Sequence, residues 1–503
     1  MLLAIALFLC AAHAHGYELV VQTSLGAVHG LRPDQGAYTM FLGVPYARVD
    51  EENPFGVTYH DDIGCPQVGG RGSDGPQGSI QCLVLNVYVP DVADPSSLPV
   101  MVWFHGGAFV TGDSNRGMNA PTYLIKHDVI IVSVNYRLGI YGFMCTDSAK
   151  SPGNNGLKDQ LLALRWVRDN IGSFGGDKDK VTAFGTSAGG MSVHLHLLSH
   201  HEKLFERAII QSGPSSSPWT IVDADNTIPI RLASALGFQT EDVDDAIDFL
   251  SKASVHDVVR AANDLLIITA ANDNQPLTKP CVEKEFEGVE RFVTTHSNVA
   301  HSTKAKDTDI MIGHNSQEMI FQYGTRPDEF FSGYSFENLL DFGFNVTDFE
   351  DMTQVVRQFY IGDRETSSDL KEEITNFASD FVWNHPTERA VRLLVEDQAR
   401  VVYKYLFSYE GGRNLLKHIT GSTMPGASHG DELGYLCVSG SSNPLPAYTA
   451  LLPAVWAPVS RGERPYLEIG REVTAGRRPL HDRMAFWDVF YEANQHKAKG
   501  FNE

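Results

Sequence analysis

The 503-residue chain is 43% hydrophobic and 20% charged, which supplies ample apolar material for a core and excludes a disordered chain. Its formal charge of −22 opposes approach to nucleic acid or to an anionic membrane surface, so neither is expected as a partner. The length would allow about three domains. No Pro/Ser/Gly-rich linker or internal repeat divides the chain, however, and one α/β domain over residues 15–503 is the expectation.

Residues 1–14 form a short apolar run ending in the small-x-small triplet Ala12-His13-Ala14, the pattern of a cleaved secretory signal. Spanning a bilayer takes about 20 apolar residues, and His13, His15 and Gly16 end the run before that. The tail Lys499 to Glu503 has neither a hydrophobic anchor signal nor a retention signal. A secreted protein without a membrane anchor is therefore expected.

Alternating runs at Tyr17–Gln22 and Val28–Leu31, broken by Gly26, predict an N-terminal hairpin. Tyr38–Ala47 reads as a further strand and turn, and Leu83–Pro90 as a strand. Between them, residues 49–80 are rich in Asp, Gly and Pro and read as loop. Leu98–Phe104 is a continuous apolar run of the kind buried in a central sheet, and it empties into the glycine turn His105-Gly106-Gly107-Ala108-Phe109. Val129–Val134 is the next core strand. Gly156–Arg168 has the i, i+3, i+4 apolar spacing of an amphipathic helix. Short strands follow at Ala208–Ser212, Asp309–Gly313 and Val401–Phe407, and Arg483–Tyr491 reads as a helix whose aromatics pack as core. Strands alternating with helices imply a mainly parallel sheet with helices on both faces.

Six cysteines become five once Cys10 leaves with the leader. Cys65 and Cys82, close in sequence and flanked by Gly, Pro and Ser, are the expected disulfide in an oxidising compartment. Cys145, Cys281 and Cys437 lie in apolar or mixed contexts and are expected as buried thiols. With neither a CxxC nor an HExxH motif, no metal site is expected. The sequon Asn345-Val346-Thr347 lies in a polar stretch and is the expected glycosylation site.

The chemistry centres on Lys180–Gly190, where a short apolar run meets a GxSxG pattern formed by Gly185, Ser187 and Gly189. Strand, sharp turn and helix in that order would leave only the serine projecting, at a helix N-terminus where backbone amides stabilise developing negative charge. A serine hydroxyl needs a base at neutral pH, ordinarily a histidine. On the chain order Ser, acid, His, the candidate is His429, in a Gly-flanked loop after the Val401 strand. His194 and His196 follow Ser187 too closely along one helix, and His105 shapes the glycine turn. Glu318, just after the Asp309 strand, is the candidate acid, because strand ends in open α/β sheets converge on one edge. Asp431 and Glu432 compete for that role, but they adjoin His429 and would strain to reach the ring's far nitrogen.

These residues, together with Asn135–Gly139, Gly142-Phe143, Gly153–Gln160, Phe174–Asp177, Gln211-Ser212-Gly213 and His429–Leu433, resemble the type-B carboxylesterase and cholinesterase family, and within it the insect carboxylesterases. The resemblance covers most of the chain. It implies an α/β-hydrolase fold, Ser187 as nucleophile, Glu318 as acid and His429 as base, with the amides of Gly107, Ala108 and Ala188 as oxyanion hole. It also implies a small apolar ester as substrate and no cofactor.

The chain departs from the family pattern in four places. The stretches over 48–80 and 437–443 are shortened, Ile80-Gln81 stands for a Glu-Asp pair, and Met319 follows the acid in place of Gly. Loss of a helix after Cys437 is expected to loosen His429 unless Leu445–Leu452 substitutes for it. Juvenile-hormone esterases and cholinesterases carry Gln and Glu, respectively, at the position of Thr186, and no Trp lies between Cys65 and Cys82. The expectation is a general serine carboxylesterase; a juvenile-hormone-type esterase, or an impaired or non-catalytic binding member of the family, is the alternative.

Overall fold

The computed structural model describes residues 19–23, 26–33, 36–49, 65–68, 75–92, 96–115, 120–268, 275–437 and 456–501. The leader, most of the shortened 48–80 stretch and the residues just after Cys437, Leu445–Leu452 among them, lie outside these.

Val20–Thr23 (β1) and Gly26–His29 (β2) form the expected antiparallel hairpin. The chain continues through Tyr38–Pro45 (β3), a small antiparallel pair of Gln67–Val68 (β4) and Pro76–Gln77 (β5), then Val84–Pro90 (β6), Leu98–Phe104 (β7) and Ile130–Val134 (β8). Gly176–Thr186 (β9), Arg207–Gln211 (β10), Asp309–Asn315 (β11), Val401–Phe407 (β12), Tyr466–Ile469 (β13) and Val473–Gly476 (β14) complete the strands. Ten of them build one sheet in the order β14-β13-β12-β11-β10-β9-β7-β8-β6-β3. From β8 to β13 every neighbouring pair is parallel, and the antiparallel strands sit at the edges.

Parallel strands have both faces covered, which is why β7 reads as an unbroken apolar run and β8 is buried along its whole length, Ser133 included. On one face pack Asn155–Asn170 (α1), Ala188–Leu198 (α2) and His385–Glu396 (α3). Trp166, Val193 and Val391 from these helices meet Val102, Val132 and Ala183 of the sheet in one core. On the other face Ile125, in the helical turn Leu124–His127, packs with Tyr88 and Ile131. The C-terminal helix, His481–Asn494 (α4), buries Trp487 among Phe377 and Phe381, so its aromatics are core as expected.

Two motifs noted in the sequence meet here. Arg137 donates from Nε and Nη2 to the two carboxylate oxygens of Asp159 at 2.8 and 2.7 Å, and both side chains are fully buried. The Arg137 amide donates to Asp159 as well, at 3.0 Å. A buried pair with this bidentate geometry ties the loop after β8 to the start of α1.

The cysteine reading needs one correction. Cys65 and Cys82 are bridged as expected, and Cys437 is a buried thiol pushed up to about 12 by burial. Cys145 and Cys281, expected as thiols, form a second disulfide across 136 residues, with Cα atoms 6.5 Å apart. Their partnership arises only from folding. Cys281 is drawn beside the chain at Val222 by a parallel bridge, and Gly153 leaves the room, since a Cβ there would lie 2.7 and 2.9 Å from the two sulfurs. Closing so long a loop restricts the unfolded chain strongly. Replacing both cysteines by serine should lower stability by about 2–5 kcal/mol, read as a lower denaturant midpoint; an unchanged midpoint would contradict a formed bridge.

The Ile80-Gln81 departure also has a structural reading. The Gln81 amide donates to the Val49 carbonyl at 2.8 Å and accepts from the Val49 amide at 3.1 Å, so neutral hydrogen bonds hold the strand end.

Candidate active site

The order of strands around β7 creates a crevice. The chain leaves β7 toward β8 on one side, while β9 and β10 continue on the other, and in open α/β sheets ligands bind beyond the carboxyl ends of strands at such a reversal. The carboxyl end of β7 opens into His105–Phe109, and that of β9 into Ser187.

Ser187 adopts φ 58° and ψ −127°, a conformation that L-residues adopt only under constraint. The constraint is visible. Its amide donates to the Gln211 carbonyl of the next strand at 2.9 Å, while its own carbonyl accepts from Met191 at 2.8 Å and starts α2. The flanking glycines let the helix dive against the sheet: a Cβ on Gly189 would lie 1.9 Å from the Phe104 carbonyl oxygen, and one on Gly185 would lie 2.5 Å from the Gly189 backbone. Gly189→Ala should therefore cost about 3 kcal/mol, the upper end for overpacking, and appear as a lowered urea midpoint. A variant as stable as wild type would contradict this close contact.

The glycine turn lies against the same elbow. A Cβ on Gly106 would come within 2.8 Å of the Thr186 carbonyl oxygen. Gly107 and Ala108 have positive φ (119° and 54°), and their amides donate to no acceptor among the described residues. Ala188, first residue of α2, has an amide without an intrahelical acceptor. The turn is shaped by His105, whose Nδ1 lies 2.8 Å from the Gly106 carbonyl and whose ring stacks on Tyr136 at 4.4 Å. Tyr136 in turn donates its hydroxyl to the His105 carbonyl at 2.7 Å. Burial holds His105 below the ordinary histidine range.

Glu318 and His429 come together. Glu318 Oε2 lies 2.6 Å from His429 Nδ1, and the His429 amide donates to the Glu318 carbonyl at 3.1 Å. Glu318 is fully buried, and its other oxygen accepts from the Ser212 hydroxyl and from the Asn315 amide, both at 2.6 Å. A buried carboxylate with three donors is fixed in orientation, and so is the imidazole it holds. Trp383, in the π-helical turn Asp380–Asn384, packs against the His429 ring at 4.3 Å, and Phe321 lies at 5.1 Å. With Nδ1 turned to Glu318, the remaining ring nitrogen is the one left for the cavity, whose wall His429 shares with Ser187.

The competing groups lie elsewhere. Asp431 accepts from the amides of Ser428 and Lys417 and from the Asn414 side chain. Glu432 accepts from Thr186 and Gln211 at 3.0 Å and from Asn315 at 2.7 Å, so it buttresses the elbow from beneath. Burial, and secondarily the charge of Glu318, raises its carboxyl above the ordinary range. His194 meets the Ser215 amide and hydroxyl, and burial pushes it down to about 4. His196 meets Gln160.

The cavity has a volume of about 700 Å³ and is lined mainly by apolar side chains, including Trp103, Phe109, Met191, Trp219, Phe321 and Trp383. Gly107, Ala108, Ser187, Ala188 and His429 share its wall. The buttressing role of Glu432, Ser212 and Asn315 was not legible in advance, although the Gln211-Ser212-Gly213 motif marked the place. The aromatic wall from Trp219, Phe321 and Trp383 gave no sequence signal, because it is contributed by loops and helices far apart in the chain. Among the described residues, no group of three or more His, Cys, Asp or Glu is placed to hold a metal ion, and no helix is long and apolar enough to cross a membrane.

Comparison with known proteins agrees with this fold. The carboxylesterase family profile matches residues 17–450. Esterase FE4 of Myzus persicae is 30% identical over 429 residues, covering 79% of this chain and 74% of its own. Esterase B1 of Culex pipiens is 30% identical over 457 residues, covering 83% and 82%. The solved structure of juvenile hormone esterase from Manduca sexta with OTFP covalently attached superposes with a TM-score of 0.75, over 94% of this chain and 100% of that one, at 23% identity, which bears out the α/β-hydrolase fold. The chain belongs to the carboxylesterase family. Its reaction class is the hydrolysis of carboxylic esters.

Proposed function

We propose that the protein hydrolyses small apolar carboxylic esters through an acyl-enzyme on Ser187. The observation that carries this reading is the 2.6 Å contact between Glu318 and His429 Nδ1, at the wall of the cavity into which the constrained Ser187 turn opens. In the proposed cycle His429 takes the Ser187 proton as Oγ attacks the ester carbonyl. Glu318 stabilises the imidazolium, and the amides of Gly107, Ala108 and Ala188 take the charge that forms on the carbonyl oxygen. The imidazolium then protonates the departing alcohol, and a water molecule repeats the sequence on the acyl group to release the acid. The apolar lining favours an apolar acyl or alcohol part.

Thr186 donates to Glu432 at the position where the resemblance puts Gln in juvenile-hormone esterases, and we keep the general esterase reading. We further propose export through the 1–14 leader and glycosylation at Asn345. Two disulfides support an oxidising compartment, and the Asn345 and Thr347 side chains are exposed.

A common acyl-enzyme has a kinetic signature. With methanol as a competing acceptor, two esters that share an acyl group but differ in alcohol should give the same ratio of acid to methyl ester. Ratios that depend on the leaving alcohol would contradict the covalent intermediate.

A further inference from the structure

Lys279 stands in the wall of the cavity that holds Ser187 and His429, and it is the only lysine or arginine among the described residues lining that cavity. It is 4% exposed. Its ammonium has three donors, and among the described residues one partner is found for them, the Gln275 side-chain oxygen at 3.2 Å. Other buried lysines are better compensated. Lys158 pairs with Glu283 at 2.6 Å, Lys404 pairs with Glu388, and Lys304 meets both the His196 carbonyl and the Ser199 hydroxyl. The one carboxylate among the described lining residues, Asp113, acts on His105. A charge taken out of water without a counter-charge is unfavourable, and burial pushes the Lys279 ammonium down to about 7.

The position of this cation is fixed. The Pro280 carbonyl accepts from the Val222 amide at 2.9 Å, and Cys281 is bridged to Cys145. The Asn154 side chain clamps both the carbonyl and the amide of Cys281, at 2.8 and 3.1 Å. Lys279 thus sits two residues from a cross-link, at an otherwise largely apolar wall. Among the described residues nothing supplies its counter-charge, and a carboxylate on a ligand in the cavity would.

We infer that Lys279 recognises a carboxylate at the far end of the acyl part of the substrate, the rest of the ester staying apolar, so that half-esters of dicarboxylic acids are preferred over neutral esters of the same shape. The inference rests on the ester-hydrolase reading above. The alkoxy group leaves as alcohol, water supplies the hydroxyl of the new acid, and the products are the dicarboxylic acid and the alcohol. The second carboxylate is chemically unchanged and serves only to orient the substrate through Lys279.

The test compares methyl hydrogen glutarate with its neutral counterpart in which a methyl ketone replaces the carboxylate. The ratio of their kcat/KM values should fall about tenfold or more in Lys279→Met, which keeps most of the length of the side chain and removes its charge. An equal ratio in wild type and variant would overturn the proposal. Should the variant not fold, wild type alone decides: pentanoate should bind at least about tenfold more tightly than hexan-2-one, the neutral methyl ketone of the same shape, by calorimetric titration, and equal binding would overturn it. Failure of wild type to hydrolyse either ester or any neutral ester would instead contradict the esterase reading, which the binding comparison does not depend on.

Discussion

Ser187→Ala is expected to lower kcat/KM for ester hydrolysis on the order of 10⁴-fold or more while the fold persists. The expectation separates the two roles of this residue. Its structural role lies in the backbone, through the amide bond to Gln211 and the carbonyl bond from Met191, and alanine keeps both. The strained φ of 58° is no worse for alanine than for serine, since each carries a Cβ. What disappears is one oxygen at the cavity wall. A 10⁴-fold loss corresponds to about 5.4 kcal/mol of transition-state stabilisation, more than the loss of a packing contact would give at this half-buried site. Circular dichroism and the melting temperature should be unchanged. Turnover retained in a folded Ser187→Ala protein would remove the assignment.

Glu318→Gln should reduce kcat by about 10³- to 10⁴-fold with little change in KM, as loss of the charged acid does in other triads. The amide has nearly the same shape and can still accept from Ser212 and Asn315 at one end. At the other end its NH2 group faces His429 Nδ1 and favours a proton on the opposite nitrogen, which must be bare to act as base. It also cannot stabilise an imidazolium. Glu432→Gln is the informative comparison, because Glu432 is also buried but turned to Thr186, Gln211 and Asn315. Its replacement should act through the placement of the elbow and cost less. A Glu432→Gln variant more damaged than Glu318→Gln would show that the acid has been misnamed.

Much of the fold was legible because its signals are local. The apolar run Leu98–Phe104 is a strand with those same limits, and the helix expected over Gly156–Arg168 extends from Asn155 to Asn170. The GxSxG turn was legible for the same reason, since its glycines answer contacts within a few residues and with the adjacent strand. The long-range pairings were less so. The Cys145–Cys281 bridge joins residues that only the folded chain brings together, and nothing around either cysteine distinguishes a half-cystine from a buried thiol. Nearness to His429 in sequence argues against Glu432 as the acid, but what its side chain does instead is set by the ends of β9, β10 and β11, which no local signal shows. Lys279 carries no sequence signal, since burial against a cavity wall leaves no trace in a mixed-composition stretch. The predicted loosening of His429 concerns the shortened segment beyond Cys437, outside the described residues; within them the ring is held by Glu318, Trp383 and Phe321.

The central claim is that Ser187 is the nucleophile of a working triad, and the most direct test is the site of covalent capture by a fluorophosphonate. Wild-type protein should be labelled stoichiometrically, with peptide mass analysis placing the adduct on Ser187, and ester hydrolysis should fall in step with labelling. An adduct on another residue, or full hydrolysis by a protein that takes up no label, would contradict it.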